Sequence, residues 1–148
     1  MCGASGPLAV AALVYHKLNN SELVKVFVGA LTDLYKRTRG GFNEQPSELL
    51  YGHVGLLYSL LLVNQTIPGS LKDPLIVELV EAVLTSGLKG REEGISSPLM
   101  YTWHHRHYLG AAHGLAGILT LLLQVTYMQT HAPLFIQYFG SECPIYKF

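Results

Sequence analysis

The chain has 148 residues, the size of one domain able to bury a substantial core. Ten Lys and Arg balance ten Asp and Glu, so the formal net charge is zero and there is no basic face for nucleic acid. Hydrophobic residues make up 49% and charged ones only 14%, yet the longest apolar runs, 54–63 and 115–125, fall short of the roughly 18 residues a membrane span needs.

In chain order, Cys2 comes first, and the only other cysteine is Cys143. Neither has a CxxC neighbour, so both are expected to be free thiols rather than a disulfide or a metal pair. The N-terminus has no basic region ahead of its apolar stretch, and glycine stands at position 3 rather than 2. A secretory leader and a myristoylation signal are therefore not expected, which points to a cytoplasmic protein.

Gly3-Ala4-Ser5-Gly6 leads into 7–18, which is apolar almost all round. An amphipathic helix is predicted over 21–38, where Leu23, Val26, Phe27, Ala30, Leu31 and Leu34 recur at helical spacing. Asn20 or Ser21 caps its start, and Gly40-Gly41 ends it. Gly52-His53-Val54-Gly55 then opens a second all-apolar segment, 56–63. A second amphipathic helix follows over 74–86, with Asp73 as N-cap, Pro74 at its first position, a stripe of Ile76, Leu79, Val80 and Val83, and Gly87 as C-cap.

Gly114-Leu115-Ala116-Gly117 opens a third apolar segment, 118–127. The leading glycines at 3, 52 and 114 suggest a helical repeat with loop insertions. Buried helices alternating with amphipathic ones fit an inner ring enclosed by an outer ring, so the fold class is all-α. No segment keeps the period-two alternation of a strand. Residues 129–148, with Pro133, Gly140, Pro144 and scattered aromatics, break the pattern as a divergent tail.

Glycine before a first helical turn leaves backbone N–H groups pointing one way. Several such ends aimed at one centre would make it mildly electropositive and able to hold an anion or a polarised substrate. His113, in Gly110-Ala111-Ala112-His113-Gly114-Leu115-Ala116-Gly117, would stand at such an end, where the dipole favours neutral imidazole available as a base. A hydrogen-bonded packing histidine is the competing reading. His53 could face the same centre, with Tyr51, Tyr58, Tyr101 and Tyr108 lining a cavity or simply packing. His104, His105 and His107 cluster in Trp103–Tyr108, but zinc needs three or four converging ligands and adjacent residues project apart. That stretch reads as a solvent-facing loop. His16 and His131 read as structural or solvated.

The stretches Pro98-Leu99-Met100-Tyr101-Thr102-Trp103 and Tyr108-Leu109-Gly110-Ala111-Ala112-His113-Gly114-Leu115-Ala116-Gly117-Ile118 resemble the eukaryotic lanthionine synthetase C-like proteins. So do residues 2–12 with Tyr15-His16-Lys17-Leu18, and Glu48-Leu49-Leu50-Tyr51-Gly52. The likeness spans about residues 2–124 in three motifs. It implies an incomplete α/α toroid of nested helix rings, about three of seven helix pairs, over residues 1–128.

The resemblance further implies an enzyme that adds the thiol of glutathione to dehydroamino acids in proteins. Zinc lowers the thiol pKa in that chemistry, and an acid/base residue handles the proton on carbon. The family's active-site histidine falls on His113, the expected catalytic residue; His53, Tyr51 and Tyr108 are the expected substrate-binding residues. The zinc ligands of the family come from Trp-Cys-His-Gly and Cys-His-Gly stretches that this sequence does not contain. No metal ligand is therefore assigned, zinc is expected to be absent from this chain, and a truncated, inactive member is expected. His53 stands where the family usually has Arg, and Ser5 where it has Asp.

Implied partners are glutathione and dehydroamino-acid-containing proteins, with association at the periphery of the plasma membrane and self-association through exposed apolar helices. The alternative is a non-catalytic helical binding or regulatory module.

Overall fold

Each glycine-led segment forms a helix in the computed structural model, which describes residues 3–39, 45–71, 73–89 and 97–128. The helices are α1 (Ser5–Lys17), α2 (Ser21–Arg39), α3 (His53–Thr66), α4 (Asp73–Lys89) and α5 (Leu115–Met128). Between α4 and α5 lies a hairpin of β1 (Thr102–Trp103) and β2 (Arg106–His107). Cys2, Gly40-Gly41, His131 and the tail with Cys143 lie outside the described residues.

The inner–outer alternation is present. Helix α3 buries Val54, Leu56, Leu57, Leu60, Leu61 and Val63, residues that point in every direction around its axis. It packs against α1, α4 and α5, so it forms the middle of the core. Burying one such leucine contributes about 1.5–3 kcal/mol. Helix α4 buries the expected stripe of Ile76, Leu79, Val80 and Val83, together with Leu84.

Helix α2 starts where the Asn20 side chain accepts the Leu23 N–H at 3.1 Å, a cap worth about 1 kcal/mol. Its buried stripe is rotated from the expected one. Val28, Leu31 and Tyr35 are enclosed, whereas Val26 faces solvent. Tyr35 can be buried because its hydroxyl donates to Glu78 of α4, which also pairs with Arg39 at 3.0 Å.

Two other expectations are corrected. Gly87 does not cap α4, which runs on to Lys89. A Cβ there would come within 2.5 Å of the Tyr101 ring, so the glycine makes room for a core tyrosine. Residues 102–107 are a hairpin rather than a plain loop, although their side chains do face solvent for the most part.

Helix α1 is covered on one side by α2 and α3. Val10 and Val14 on the other side are exposed, as is Leu18 at its C-terminal cap. Among the described residues no helix is long and apolar enough to cross a membrane.

Candidate functional site

The starts of α3 and α5 are built alike, and this repeat creates the site. Before α3 the chain folds back so that Pro46 carbonyl accepts the His53 N–H at 3.1 Å and Glu48 carbonyl accepts Gly55 N–H at 3.3 Å. Before α5 the Tyr108 carbonyl accepts Leu115 N–H at 2.9 Å and Leu109 carbonyl accepts Ala116 N–H at 3.1 Å. A Cβ on Gly52 would lie 2.0 Å from Pro46 O, and one on Gly114 would lie 2.3 Å from Tyr108 O. Glycine is required at both places because backbone crosses directly over it.

This arrangement changes what the glycines were expected to do. The chain's own carbonyls take the N–H groups of His53 and Gly55 at α3 and of Leu115 and Ala116 at α5, so these donors are not aimed at a shared centre. What the glycines permit is close apposition of two loops, tied together where Leu49 N–H donates to Ala112 O at 3.2 Å.

That apposition brings Glu48 to His113. The Glu48 side chain is 1% exposed, and one of its oxygens lies 2.7 Å from His113 Nδ1. The same carboxylate accepts Leu50 N–H at 3.0 Å and Tyr51 N–H. A carboxylate already acting as an acceptor in this way draws the imidazole proton to Nδ1. Nε2, on the far side of the ring, is then the atom able to take up or release a proton. The His113 side chain is 27% exposed, so the ring is held by protein yet open to solvent.

Aromatic side chains surround it. The Trp103 ring stacks on His113 with centroids 4.1 Å apart and planes 18° from parallel. Tyr51 lies 6.4 Å away and nearly parallel, and Tyr108 meets the imidazole edge-on at 6.1 Å. Tyr51 is 61% exposed, so this aromatic cluster opens at the surface.

Of the expected site residues, the structure brings Tyr51 and Tyr108 to His113. His53 is the first residue of α3 and only 2% exposed, whereas Tyr101 is a core residue. Glu48 and Trp103 were not singled out from the sequence as site residues. The available signal was a carboxylate directly ahead of Leu49-Leu50-Tyr51, just before a glycine-led helix. Among the described residues no three His, Cys, Asp or Glu are placed to hold a metal ion, the histidines at 104–107 included. The residues described thus do not fit a zinc site.

Burial holds His53 neutral by pushing its pKa down to about 4. Unfolding returns it to its ordinary value near 6.5, so the unfolded chain binds more protons between those limits. The His53 contribution to stability is therefore complete above pH 6.5 and is lost as the pH falls towards 4. The expected loss is on the order of 2 kcal/mol. Urea midpoints at pH 7.5 and 4.5 should differ less for His53→Leu than for the parent chain; equal differences would exclude this origin.

The chain matches the lanthionine synthetase C-like protein family over residues 1–134. It is 42% identical to "Glutathione S-transferase LANCL1" of Danio rerio over 129 residues, 84% of this chain and 32% of that protein. It is 32% identical to "LanC-like protein GCL1" of Arabidopsis thaliana over 131 residues, 83% of this chain and 30% of that protein. The chain thus spans about a third of the length of these relatives.

Proposed function

The chain belongs to the lanthionine synthetase C-like family, and on that premise we propose that it carries the proton-handling side of a site that adds the glutathione thiol to dehydroamino acids. The hydrogen bond from His113 Nδ1 to the buried Glu48 carboxylate is the observation that carries this reading. As sulfur bonds to the alkene Cβ, the π-electron pair moves to Cα, which must gain a proton. Imidazolium would deliver it from Nε2 while Glu48 holds the opposite nitrogen, and the proton given up by the thiol restores the balance. Glutathione as the thiol is supported by the similarity to the glutathione S-transferase of Danio rerio. Tyr51 and Tyr108 would flank the substrate.

The thiol-activating side would not come from these residues, because no metal-holding group is found among those described. The 148 residues alone are proposed to bind no zinc and to leave the addition uncatalysed. The proposed setting is the cytoplasm, including the periphery of the plasma membrane.

The test combines two measurements on the purified chain. Titration with a dehydroalanine peptide or glutathione should shift the His113, Tyr51 and Tyr108 ring resonances; no shift with either ligand would sink the substrate-site reading. Mass spectrometry should find no thioether adduct above the uncatalysed level, with less than stoichiometric zinc. Adduct formation with bound zinc, slowed about 10²–10⁴-fold by His113→Gln, would overturn the inactive reading and keep the role of the histidine.

The exposed Val10 and Val14 on α1, with Leu18 at its end, favour a second reading as a non-catalytic helical partner. Light scattering that finds a defined oligomer supports it, and a soluble monodisperse monomer counts against it.

A further inference from the structure

The χ2 torsion of histidine is soft, so a single hydrogen bond at Nδ1 leaves the imidazole room to rock about its side-chain bonds. Glu48 holds His113 at Nδ1, so a second restraint is needed to set the direction of Nε2. The structure assigns that role to Trp103, a positioning residue whose indole plane blocks rotation of the His113 ring; the inference rests on the proposed acid/base role of His113.

Trp103 is presented by a hairpin built for the purpose. At its base Tyr101 is buried in the core against Gly87, and Met100 N–H donates to Gly87 O at 3.0 Å. The strands pair Thr102 with His107 and Trp103 with Arg106, leaving a two-residue turn of His104-His105. Both turn residues have positive φ, 48° and 59°. That is the left-handed backbone of a tight hairpin turn, in which Asn-Gly is the favoured pair and larger residues are strained. The strain is tolerated beside the site, where the turn folds the strand bearing Trp103 over the imidazole. Clustered histidines at 104 and 105 are thus turn residues next to a stacking tryptophan. The His104 ring is tilted against Trp103, with centroids 4.3 Å apart.

Trp103 is the single tryptophan of the chain, and the ring nitrogens of His113 can be read by long-range ¹H–¹⁵N correlation in the intact 148-residue protein. The parent chain should show His113 as one Nδ1–H tautomer, with its carbon-bound ring protons moved upfield by the indole. Trp103→Phe should preserve both features. Trp103→Leu, with far-UV circular dichroism unchanged, should keep the Nδ1–H tautomer that Glu48 sets, lose the upfield shift, and average the through-space contacts between the imidazole C–H protons and the Tyr108 ring. Unaveraged contacts between the imidazole and the Tyr108 ring in Trp103→Leu overturn the proposal, as does an unshifted His113 ring in the parent chain, which needs no variant to fold. Exchange of His104-His105 for Asn-Gly should leave the His113 signals in place; their loss would overturn the hairpin's role. A stacked, single-tautomer His113 that responds to neither glutathione nor the alkene peptide would overturn the proposed function and leave the positioning intact.

Discussion

Gly52→Ala is expected to destabilise the chain by more than about 4 kcal/mol, enough to prevent folding of a small domain of ordinary stability. Backbone angles are not the reason, since Gly52 has φ −105°, which alanine adopts freely. The reason is contact. The added methyl would sit 2.0 Å from Pro46 O, 2.6 Å from Glu48 N and 2.9 Å from Glu48 O. All three are backbone atoms, and their segment also supplies the carbonyls that cap α3. Relief would require lifting the loop that carries Glu48, so the His113 contact would go with it. Gly114→Ala and Gly117→Ala face the same obstacle, with the methyl 2.3 Å from Tyr108 O and 1.9 Å from Ala111 O.

Gly29 provides the contrast. It lies within α2, and a Cβ there meets nothing within 4 Å. Gly29→Ala should stabilise by about 0.5–1 kcal/mol through helix propensity. Urea unfolding followed at 222 nm measures all four variants. A Gly52→Ala protein within about 1 kcal/mol of the parent would show that the loop does not press on the helix start as described.

The second large effect is expected at Glu48. Its buried carboxylate accepts from Leu50 N–H, Tyr51 N–H and His113 Nδ1. Glu48→Ala removes every one of these acceptors and leaves the donors without a partner in a largely closed place. At about 1–3 kcal/mol for each donor stranded, and with the Tyr51 amide and His113 partly able to reach water, a loss of about 3–5 kcal/mol follows. Glu48→Gln should cost less, about 1–3 kcal/mol, because one oxygen remains. Its amide N–H₂ cannot accept, however, so it must face a backbone donor or give a hydrogen bond to His113 Nδ1. The second arrangement moves the imidazole proton to Nε2. Glu48→Gln is therefore expected to reverse the tautomer of His113 or to mix the two, as read from its ring nitrogens. An unchanged Nδ1–H tautomer in a folded Glu48→Gln protein would mean that the carboxylate does not orient the ring.

The helices were readable because their signal is local. Apolar residues at helical spacing in 21–38 and 74–86, and the largely apolar segments after Gly52 and Gly114, mark elements whose period appears within a few turns. Their errors are also local in origin. Periodicity placed Val26 on the buried side of α2, since it could not foresee that Tyr35 would be drawn inward by a hydroxyl partner on α4. Gly87 resembled a cap because glycine often ends helices, whereas the ring it accommodates comes from Tyr101, beyond the end of α4.

The candidate site divides in the same way. His113 stood out by sequence because it lies among glycines and within a family motif, and both features belong to its own stretch of chain. Glu48 lies 65 residues away, and nothing in the spacing of either residue encodes that distance. Only the folded loops over Gly52 and Gly114 bring them together, by letting two backbones approach where any side chain would collide. Likewise Trp103 could be read as one aromatic among several until a hairpin with a left-handed His-His turn laid it on the imidazole. Sequence alone determined the helices, the glycine-led repeat and the histidine, because each depends on neighbours within a few residues. The tertiary structure decided what the glycines admit, which carboxylate holds the histidine and which ring lies on it, because those depend on contacts between segments that share no local pattern.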